Sequence, residues 1–277
     1  MKWSVLKKGL QEQYHISHAA KECGSFESLV RLLMRSLGNE RPLFPEDEVE
    51  ENTARFVLDQ MTKVCLGCPP QYVTGKAFFD VGVFFVGDGV LIPRPDTEIL
   101  VEQTVRLLPK NGLFYDLCCG SGCVGISVLL HRPDVKCVAL DIADAALYYT
   151  QKNAAYNAVD RRMTILKQDV LAPCPPGFIQ GDLVVANPPY LSGIEIDQLS
   201  SVVRKEPVLA LYGGENGLDF YQNIFKEYAH LGKGVLVEIG HTQADAVNVL
   251  AHKLGFDRVS VFRDYGGRDR VVYCEKK

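Results

Sequence analysis

The sequence predicts an α/β fold whose core is a seven-stranded, mostly parallel sheet with an antiparallel last strand. From Leu113 onward, short apolar runs alternate with stretches of helical periodicity, which is typical of parallel strands joined by crossover helices. The last two apolar runs flank Asp264-Tyr265-Gly266-Gly267-Arg268, a sequence that favours a hairpin and so reverses the final strand. The chain up to about Leu66 shows helical periodicity and not this alternation, which indicates a separate, helical part.

The element boundaries follow from where the apolar runs start and stop. Strands are predicted at 113–118, 137–142, 163–168, 182–186, 234–239, 257–263 and 270–275. Helices are predicted at 122–131, 144–157, 218–231 and 242–254. Because strands and helices alternate along this part of the chain, we expect helices on both faces of the sheet.

Up to about Leu66 the pattern is helical. Ser25 is the predicted N-cap of one helix, and Gly38 ends the apolar residues that follow it at helical spacing. A second helix is predicted to begin at Pro45, because the three carboxylates after it would suit the first turn and the helix dipole. Gly67 is predicted to end this second helix.

Between the helical and the alternating regions lies a short β-rich segment. Apolar runs and glycines from Gln71 to Ile92 predict one or two hairpins, and Pro93 to Glu98 closes the segment and starts a helix. The chain is therefore predicted to consist of a helical domain at 1–68, a β-hairpin linker at 69–96 and the α/β domain at 97–277.

Composition and charge limit the classes of protein. A hydrophobic fraction of 47% and a charged fraction of 23% are ordinary for a soluble globular protein of one large domain or two smaller ones. The net charge of −4 argues against a broad electrostatic surface for nucleic acid. We therefore expect no direct binding of nucleic acid.

Leader, membrane and cysteine patterns indicate a cytoplasmic protein. Met1 to Lys8 lack the apolar core of a signal peptide, and no apolar run is long enough to span a bilayer. Nine cysteines without an export signal are typical of reduced thiols. Cys65 and Cys68 have the spacing of a metal or redox pair, but no second pair follows, so we expect helix-end packing and no metal.

A strand, a glycine turn and a helix start lie at 114–125. Gly120 and Gly122 permit positive φ and close backbone approach, and Asp141 ends the next strand, where a carboxylate can accept hydrogens from ribose hydroxyls. This arrangement suits an adenosine, which NAD and S-adenosylmethionine share. Glycines that merely ease a tight strand-to-helix turn are the alternative.

Two features favour S-adenosylmethionine over NAD. Asp116 stands just before the glycine turn, where it could face a cationic sulfonium or ammonium group but would repel a pyrophosphate. The terminal hairpin is also foreign to the usual dinucleotide-binding sheet. Asp169 is placed to hydrogen-bond an adenine amine, or else caps the turn that follows. The predicted cofactor-binding residues are Asp116, Cys118, Cys119, Gly120, Ser121, Gly122, Asp141, Asp169 and Asn187.

The tetrapeptide Asn187-Pro188-Pro189-Tyr190 follows a buried strand. Its prolines fix their own φ and restrict the residue before them, so the peptide carbonyls point in set directions. Asn187 offers a side-chain carbonyl, the backbone offers a second acceptor, and Tyr190 offers a flat ring. These groups suit a planar NH2 group with two hydrogens. An ordinary Asn-Pro turn that leaves a strand is the alternative.

With these motifs the sequence resembles the protein-(glutamine-N5) methyltransferases that modify class I peptide chain release factors. The Ile92 to Glu98 segment is the most particular to that family, whereas adenine-N6 enzymes share the Asn-Pro-Pro-Tyr motif. The matching stretches are 71–75, 91–98, 116–122, 187–190, 206–211, 217–219, 237–240 and 267–272, all within Gln71 to Tyr273.

The resemblance implies a Rossmann-like methyltransferase sheet, with S-adenosyl-L-methionine as methyl donor and the Gln of a release factor's Gly-Gly-Gln motif as acceptor. Asn187, Pro188 and Tyr190 are the expected catalytic residues, and Pro189 and Arg94 are expected to contact the substrate with them. Asn187 and the Pro188 carbonyl would accept the two amide hydrogens. The helical domain would bind the release factor at a distance from the chemistry.

The sequence departs from the family at one place. Cys118 and Cys119 stand where the family usually has glycine or another small residue. If position 118 requires a positive φ, a cysteine there costs about 1–2 kcal/mol. Small-residue substitution is a simpler explanation of the pair than a redox switch.

Three other functions remain as hypotheses. An adenine-N6 methyltransferase acting on DNA or RNA would need a basic groove and a pocket for a flipped base, and the acidic net charge speaks against it. A non-catalytic S-adenosylmethionine-binding module is disfavoured by the intact Asn187. An NAD-dependent oxidoreductase is disfavoured by Asp116 and the final hairpin.

Overall fold

The computed structural model describes residues 1–38 and 41–276. The chain forms two compact units, neither of which is continuous in sequence. The helical unit comprises Met1–Lys76, Val86–Asp88 and Leu199–Glu206. The sheet unit comprises Ala77–Phe85, Gly89–Gln198 and Pro207–Lys277.

The helical unit is built from amphipathic helices around a core of its own. The helices are α1 (Trp3–Ile16), α2 (His18–Glu22), α3 (Phe26–Ser36), α4 (Glu51–Cys65) and α5 (Pro70–Thr74). Their buried faces supply the core residues Leu6, Leu10, Leu33, Val57 and Met61. The predicted cap of α3 is confirmed, since the Ser25 side chain accepts a hydrogen bond from the Ser28 N–H.

The predicted start of the second long helix at Pro45 was wrong, because α4 begins only at Glu51. The residues before it pair with the start of the chain instead. The Val49 N–H donates to the Met1 carbonyl at 2.8 Å, and the Trp3 N–H donates to the Asp47 carbonyl at 2.8 Å. These tertiary hydrogen bonds use backbone groups that a helix would need, so they override the favourable first-turn charges.

The predicted β-rich run from Gln71 also starts too early. Residues Pro70–Thr74 form α5, which has a proline in its first turn and ends at Gly75 with a left-handed φ of 70°. One hairpin follows, formed by β1 (Lys76–Phe79) and β2 (Gly82–Phe85). The prediction rested on the apolar runs and glycines that follow, and these lie in the hairpin itself and do not mark where the β structure begins.

A seven-stranded sheet forms the centre of the sheet unit, as predicted. Its strands are β3 (Leu113–Leu117), β4 (Lys136–Asp141), β5 (Met163–Lys167), β6 (Leu183–Ala186), β7 (Gly234–Glu238), β8 (Arg258–Arg263) and β9 (Asp269–Glu275). They lie in the order β5-β4-β3-β6-β7-β9-β8. The pairs among β3 to β7 are parallel, and β9 runs antiparallel to β7 and β8. The predicted reversal at the final hairpin is thereby confirmed.

Helices cover both faces of the sheet. They are α6 (Glu98–Leu107), α7 (Cys123–His131), α8 (Asp144–Tyr156), the short α9 (Gly193–Asp197), α10 (Asp219–Asn223) and α11 (Ala244–Lys253). Leu100 and Ile126 belong to the apolar core on one face, and Tyr221 and Val247 to the core on the other. Among the described residues, no helix is both long and apolar enough to cross a membrane.

The predicted helix at 218–231 is helical throughout but not uniform. After α10 the chain widens into a π-helical turn at Ile224–Tyr228 and tightens into a 3-10 turn at Ala229–Leu231. Helical periodicity alone does not distinguish these three geometries. The wide turn carries Tyr228, whose hydroxyl bonds a loop described below.

Candidate active site

A cavity of about 180 Å³ lies in the sheet unit, beyond the carboxyl ends of β3, β4 and β6. The central strands of an open parallel sheet form their binding crevice at this edge. The residues predicted for the site that line the cavity are Arg94, Asp116, Cys118, Cys119, Gly120, Ser121, Asp141, Asp169, Asn187 and Pro189. Gly122, Pro188 and Tyr190 lie in the same two motifs but are not among its lining residues.

The glycine turn after β3 brings the backbone close to the cavity. Gly120 and Gly122 have φ values of 57° and 78°, as their residue type predicts. A Cβ at Gly122 would lie 2.9 Å from a methyl carbon of Thr150, so the turn also needs a glycine for space. Cys118 has a φ of 58°, which places a non-glycine residue in the left-handed region at the start of the turn. The condition under which this cysteine is costly is therefore met.

Asp116 is fully buried beneath the turn. Its Oδ2 accepts the Gly125 N–H at the start of α7 at 2.9 Å, and a Cβ at Gly125 would come within 2.8 Å of that oxygen. Burial raises the pKa of Asp116 to about 7, and the Gly125 hydrogen bond opposes the rise. A carboxyl in this setting titrates near neutrality and favours a nearby positive charge.

Asp141 stands at the end of β4 with both oxygens fixed. Oδ2 accepts the Gly120 N–H at 2.9 Å, and Oδ1 accepts the Ala143 N–H at 3.0 Å. Burial raises the pKa of this carboxyl, and these backbone donors oppose the rise. The Ile142 N–H also lowers the pKa of this carboxyl as a backbone donor, and since a carboxylate has about four acceptor positions, at least one remains for a ligand.

Asp169 lies in a loop after β5 that is held from behind. Its Oδ1 accepts the Leu171 N–H at 2.8 Å, so the side chain does cap the following turn. The Tyr228 hydroxyl shares its one hydrogen between the carbonyls of Asp169 and Ala172, at 3.1 and 3.2 Å. Asn223 donates to the Val170 carbonyl at 2.6 Å. The loop therefore presents Asp169 to the cavity on a fixed backbone.

Asn187 is anchored by one end of its amide. Its Nδ2 donates to the Thr97 hydroxyl oxygen at 3.2 Å, while its Oδ1 has no hydrogen-bond partner among the described residues. The chain after it is also fixed, since Gln243 donates to the Tyr190 carbonyl at 2.9 Å. The arrangement leaves one strong acceptor available at the cavity wall.

Two residues near this site were missed by the sequence-based prediction. Thr97 lines the cavity and is 1% exposed, and Glu238 ends β7 at 2% exposed. Burial raises the pKa of Glu238 to about 7, although the Thr97 hydrogen bond and the Arg270 guanidinium oppose the rise. Both residues lie in stretches that match the family, 91–98 and 237–240. That match was the sequence feature from which they could have been predicted.

No group of three or more His, Cys, Asp or Glu side chains in the described part of the chain is arranged to hold a metal ion. The cysteines described there are free thiols, including Cys65 and Cys68 at the end of α4. Burial raises the pKa of both of these thiols.

Comparison with known proteins defines the class of this protein first. The family model described as Methyltransferase small domain matches residues 95–206. The catalytic domain of hMettl16, solved in complex with a hairpin of the MAT2A 3′UTR, has a TM-score of 0.60 at 13% identity over 82% of each chain. That likeness shows the fold. The protein is a methyltransferase, and its methyl donor is S-adenosylmethionine.

Sequence similarity then gives the family. The release factor glutamine methyltransferase of Aquifex aeolicus is 34% identical over 90% of this chain and 90% of its own length. The one from Clostridium botulinum is 33% identical over 98% of this chain and 99% of its own length. The chain belongs to the release factor glutamine methyltransferase family, which confirms the resemblance drawn from its motifs.

Proposed function

We propose that this protein transfers a methyl group from S-adenosyl-L-methionine to the side-chain amide nitrogen, N5, of the Gln in the Gly-Gly-Gln motif of peptide chain release factors. The observation that carries the proposal is the Asn187 amide, whose Nδ2 is tied to Thr97 while Oδ1 is left to accept a hydrogen at the cavity. The names of the relatives support a release factor as the substrate.

The cavity fits S-adenosylmethionine in two respects. Asp141 keeps at least one acceptor position for a ribose hydroxyl after its backbone hydrogen bonds. The missing Cβ atoms of Gly120 and Gly122 let the backbone approach the rest of the ligand. We assign Asp116, with Cys118, Cys119 and Ser121 along the turn, to the methionine end, and Asp169 to the adenine amine.

The bound cofactor supplies an electrophilic methyl group on a positively charged sulfur. The chain's own residues must improve a poor nucleophile, because the lone pair of an amide nitrogen is delocalised into its carbonyl. Asn187 Oδ1 and the Pro188 carbonyl accept the two amide hydrogens and direct the nitrogen lone pair at the methyl group. The same two acceptors stabilise the positive charge that develops on nitrogen, and that charge is lost when one of the two amide hydrogens leaves as a proton to solvent.

The remaining substrate contacts orient the amide. The Tyr190 ring packs against its plane, and Pro189 and Arg94 border the path by which it enters. Burial raises the pKa of Tyr190, so the ring acts as a neutral surface and not as a base.

The direct test is mass spectrometry of release factors incubated with the purified protein and methyl-labelled cofactor. We expect one added methyl group on the Gln of the Gly-Gly-Gln motif. Asn187→Ala should lower turnover by about 100-fold or more while cofactor affinity, measured by calorimetry, stays within a few-fold. Efficient methylation of adenine in DNA or RNA, with none on the release factor, would overturn the substrate assignment.

We further propose that the helical region at 1–68 and the hairpin linker at 69–96 bind the release factor outside the methyltransferase domain at 97–277. Such binding would provide affinity from parts of the substrate that do not react. The nine free thiols and the translation-related substrate support a cytoplasmic location.

A further inference from the structure

Three of the family motifs meet behind Asn187. Thr97 comes from the segment before α6, Glu238 from the end of β7, and Arg270 from β9, and all three belong to the sheet unit. The Thr97 hydroxyl oxygen accepts from Asn187 Nδ2 at 3.2 Å, and the interaction of Thr97 with the Glu238 carboxyl lowers the pKa of that carboxyl. The proposed chemistry uses Thr97 only as the anchor of Asn187 Nδ2 and gives Glu238 no role.

Glu238 is a buried carboxyl, and burial raises its pKa more than Thr97, Arg270 and the Tyr190 hydroxyl together lower it. One of its oxygens, Oε2, has no hydrogen-bond partner among the described residues. The nearby Arg270 guanidinium is committed elsewhere, since it donates to Asp264 Oδ2 at 3.1 Å and to the Ile239 carbonyl at 3.2 Å. An undercompensated carboxylate of this kind is a strong acceptor for any hydroxyl within reach.

The number of hydrogens available fixes the direction of the hydrogen bonds. A threonine hydroxyl has one hydrogen to donate and lone pairs to accept with. When the Thr97 hydrogen goes to the Glu238 carboxylate, its oxygen can only accept from Asn187. The Asn187 Nδ2 must then face Thr97, as it does at 3.2 Å, and Oδ1 must face away.

We propose that Thr97 and Glu238 are positioning residues that set which end of the Asn187 amide meets the substrate. We call the hydrogen bonds from Asn187 to Thr97 and from Thr97 to Glu238 the relay. With the relay intact, Oδ1 is the atom presented to the glutamine NH2. Without it, the Thr97 hydrogen is free to bond Oδ1, and the Asn187 amide can rotate to present its own NH2. Two NH2 groups facing each other cannot hydrogen-bond, so the substrate would lose an acceptor in the transition state.

The first test compares two substitutions at one position. This inference rests on the proposed role of Asn187. The kcat of each variant on the release factor is therefore compared with the kcat of the wild-type enzyme on the same substrate. Thr97→Val removes the hydroxyl at constant size and should lower kcat about 10-fold or more, while cofactor affinity changes less than 3-fold. Thr97→Ser keeps the hydroxyl and should recover most of the lost turnover.

A matched control separates positioning from loss of a buried hydroxyl. Thr104 lies in α6, is fully buried, and donates to the Leu100 carbonyl at 2.7 Å. Thr104→Val should leave kcat unchanged. Equal kcat in Thr97→Val and the wild type, or equal loss in Thr97→Val and Thr97→Ser, would overturn the relay.

The relay also predicts a pH dependence of turnover. Below a pH of about 7 Glu238 becomes protonated and can donate to Thr97, which frees the Thr97 hydrogen for Asn187. We expect kcat to rise with pH through this range in the wild type and to rise less in Glu238→Gln. The groups that face Glu238 are Asp96, Thr97, Cys123, Tyr190, Tyr221 and Arg270.

Among these groups, burial raises the pKa of Cys123, Tyr190 and Tyr221, so they stay neutral as Glu238 titrates. Asp116 also titrates near neutrality, but its contribution to the profile persists in Glu238→Gln. A profile that is the same in the wild type and Glu238→Gln would contradict the relay.

A measurement without substrate keeps this inference distinct from the proposed function. With ¹⁵N-labelled asparagine, the Asn187 side-chain signal can be assigned by its loss in Asn187→Ala. Its chemical shift should move with pH through about 7 in the wild type and move less in Glu238→Gln, where only the contribution of Asp116 remains. An equal shift in the wild type and Glu238→Gln would contradict the relay, whereas failure of the wild type to methylate a release factor would contradict only the function.

Discussion

At the scale of single residues, Cys118 carries a conformational cost that its neighbour does not. Its φ of 58° lies in the left-handed region, whereas Cys119 is not among the residues with positive φ. A Cβ in that region approaches the following carbonyl oxygen, at a cost of about 1–2 kcal/mol. The strain lies in the turn that approaches the cofactor, where such strain commonly occurs.

An alanine variant is usually more stable than a glycine variant at the same position. The positive φ of Cys118 predicts the opposite order there. Cys118→Gly should be more stable than Cys118→Ala by about 1 kcal/mol, because only glycine relieves the strain. At Cys119, the alanine variant should be the more stable of the two, because glycine adds freedom to the unfolded chain. Urea unfolding of the four variants measures both differences, and the same order at both positions would contradict this account.

Glu238 should lower the stability of the folded protein above a pH of about 7, where it is in the carboxylate form that the relay needs. Since burial raises its pKa to about 7, the folded protein holds the proton more tightly than the unfolded chain does. The stabilisation from this proton is complete below the carboxyl's ordinary pKa and is lost as pH rises through about 7.

Glu238→Gln should therefore be more stable than the wild type at pH about 8, by about 1–3 kcal/mol, and close to it at pH about 5. Thermal unfolding at the two pH values measures the change. A difference that is independent of pH would mean that the carboxyl does not titrate in this range.

At the scale of elements, the π-helical turn after α10 fixes the loop that carries Asp169. Tyr228 shares its hydroxyl hydrogen between two carbonyls of that loop and accepts from Gln168 Nε2 at 3.0 Å. Tyr228→Phe should weaken cofactor binding about 3- to 10-fold by calorimetry, because the loop loses these bonds. Turnover at saturating cofactor should change little.

Tyr115→Phe is the matched control for this prediction. Tyr115 is also buried in the same core, but its hydroxyl donates to the Ile179 carbonyl at 2.6 Å, outside the Asp169 loop. The Tyr115→Phe variant should be less stable than the wild type but should bind the cofactor with the same affinity. Equal affinity losses in the two variants would indicate a general effect of core hydroxyls.

The elements also show what the sequence could predict. The strand β6 was placed within a residue because all four of its residues are buried, and such a strand is a continuous apolar run. The helix start at Pro45 failed because the competing partners, Met1 and Trp3, lie more than forty residues away in sequence. Local pattern contains no information about them.

In the candidate site, too, some residues could be predicted from the local sequence and others could not. Asn187, Asp141 and the glycine turn were predicted because each follows a strand and carries its own chemistry. The relay behind Asn187 was not predicted, since Thr97 and Glu238 meet only when the sheet has folded. Their separation along the chain gives no local pattern.

At the scale of the whole molecule, the proposed binding of release factors by the helical region has a surface test. Ile16 and Leu66 are 88% and 77% exposed, at the ends of α1 and α4, where Ser17 and Cys65 are joined by a hydrogen bond of 2.9 Å. Exposed apolar side chains that lie together favour protein contacts.

Replacing both Ile16 and Leu66 with Ser should raise KM for the intact release factor about 10-fold. KM for a short Gly-Gly-Gln peptide should not change, since the peptide lacks the distant surface. Val249→Ser, at a residue 53% exposed on α11, is the control. A rise in KM for both substrates would contradict a binding role for this surface.

The helical unit includes Leu199–Glu206, a segment that follows β6 by more than a dozen residues. Glu206 is 3% exposed, and Ser201 donates to Glu22 at 3.1 Å. During synthesis the chain emerges from its amino end, so about three quarters of the protein must be made before the unit that contains α1 to α5 has all its parts. A nascent chain stalled before residue 199 should expose this unit to protease, and one stalled well beyond 206 should protect it.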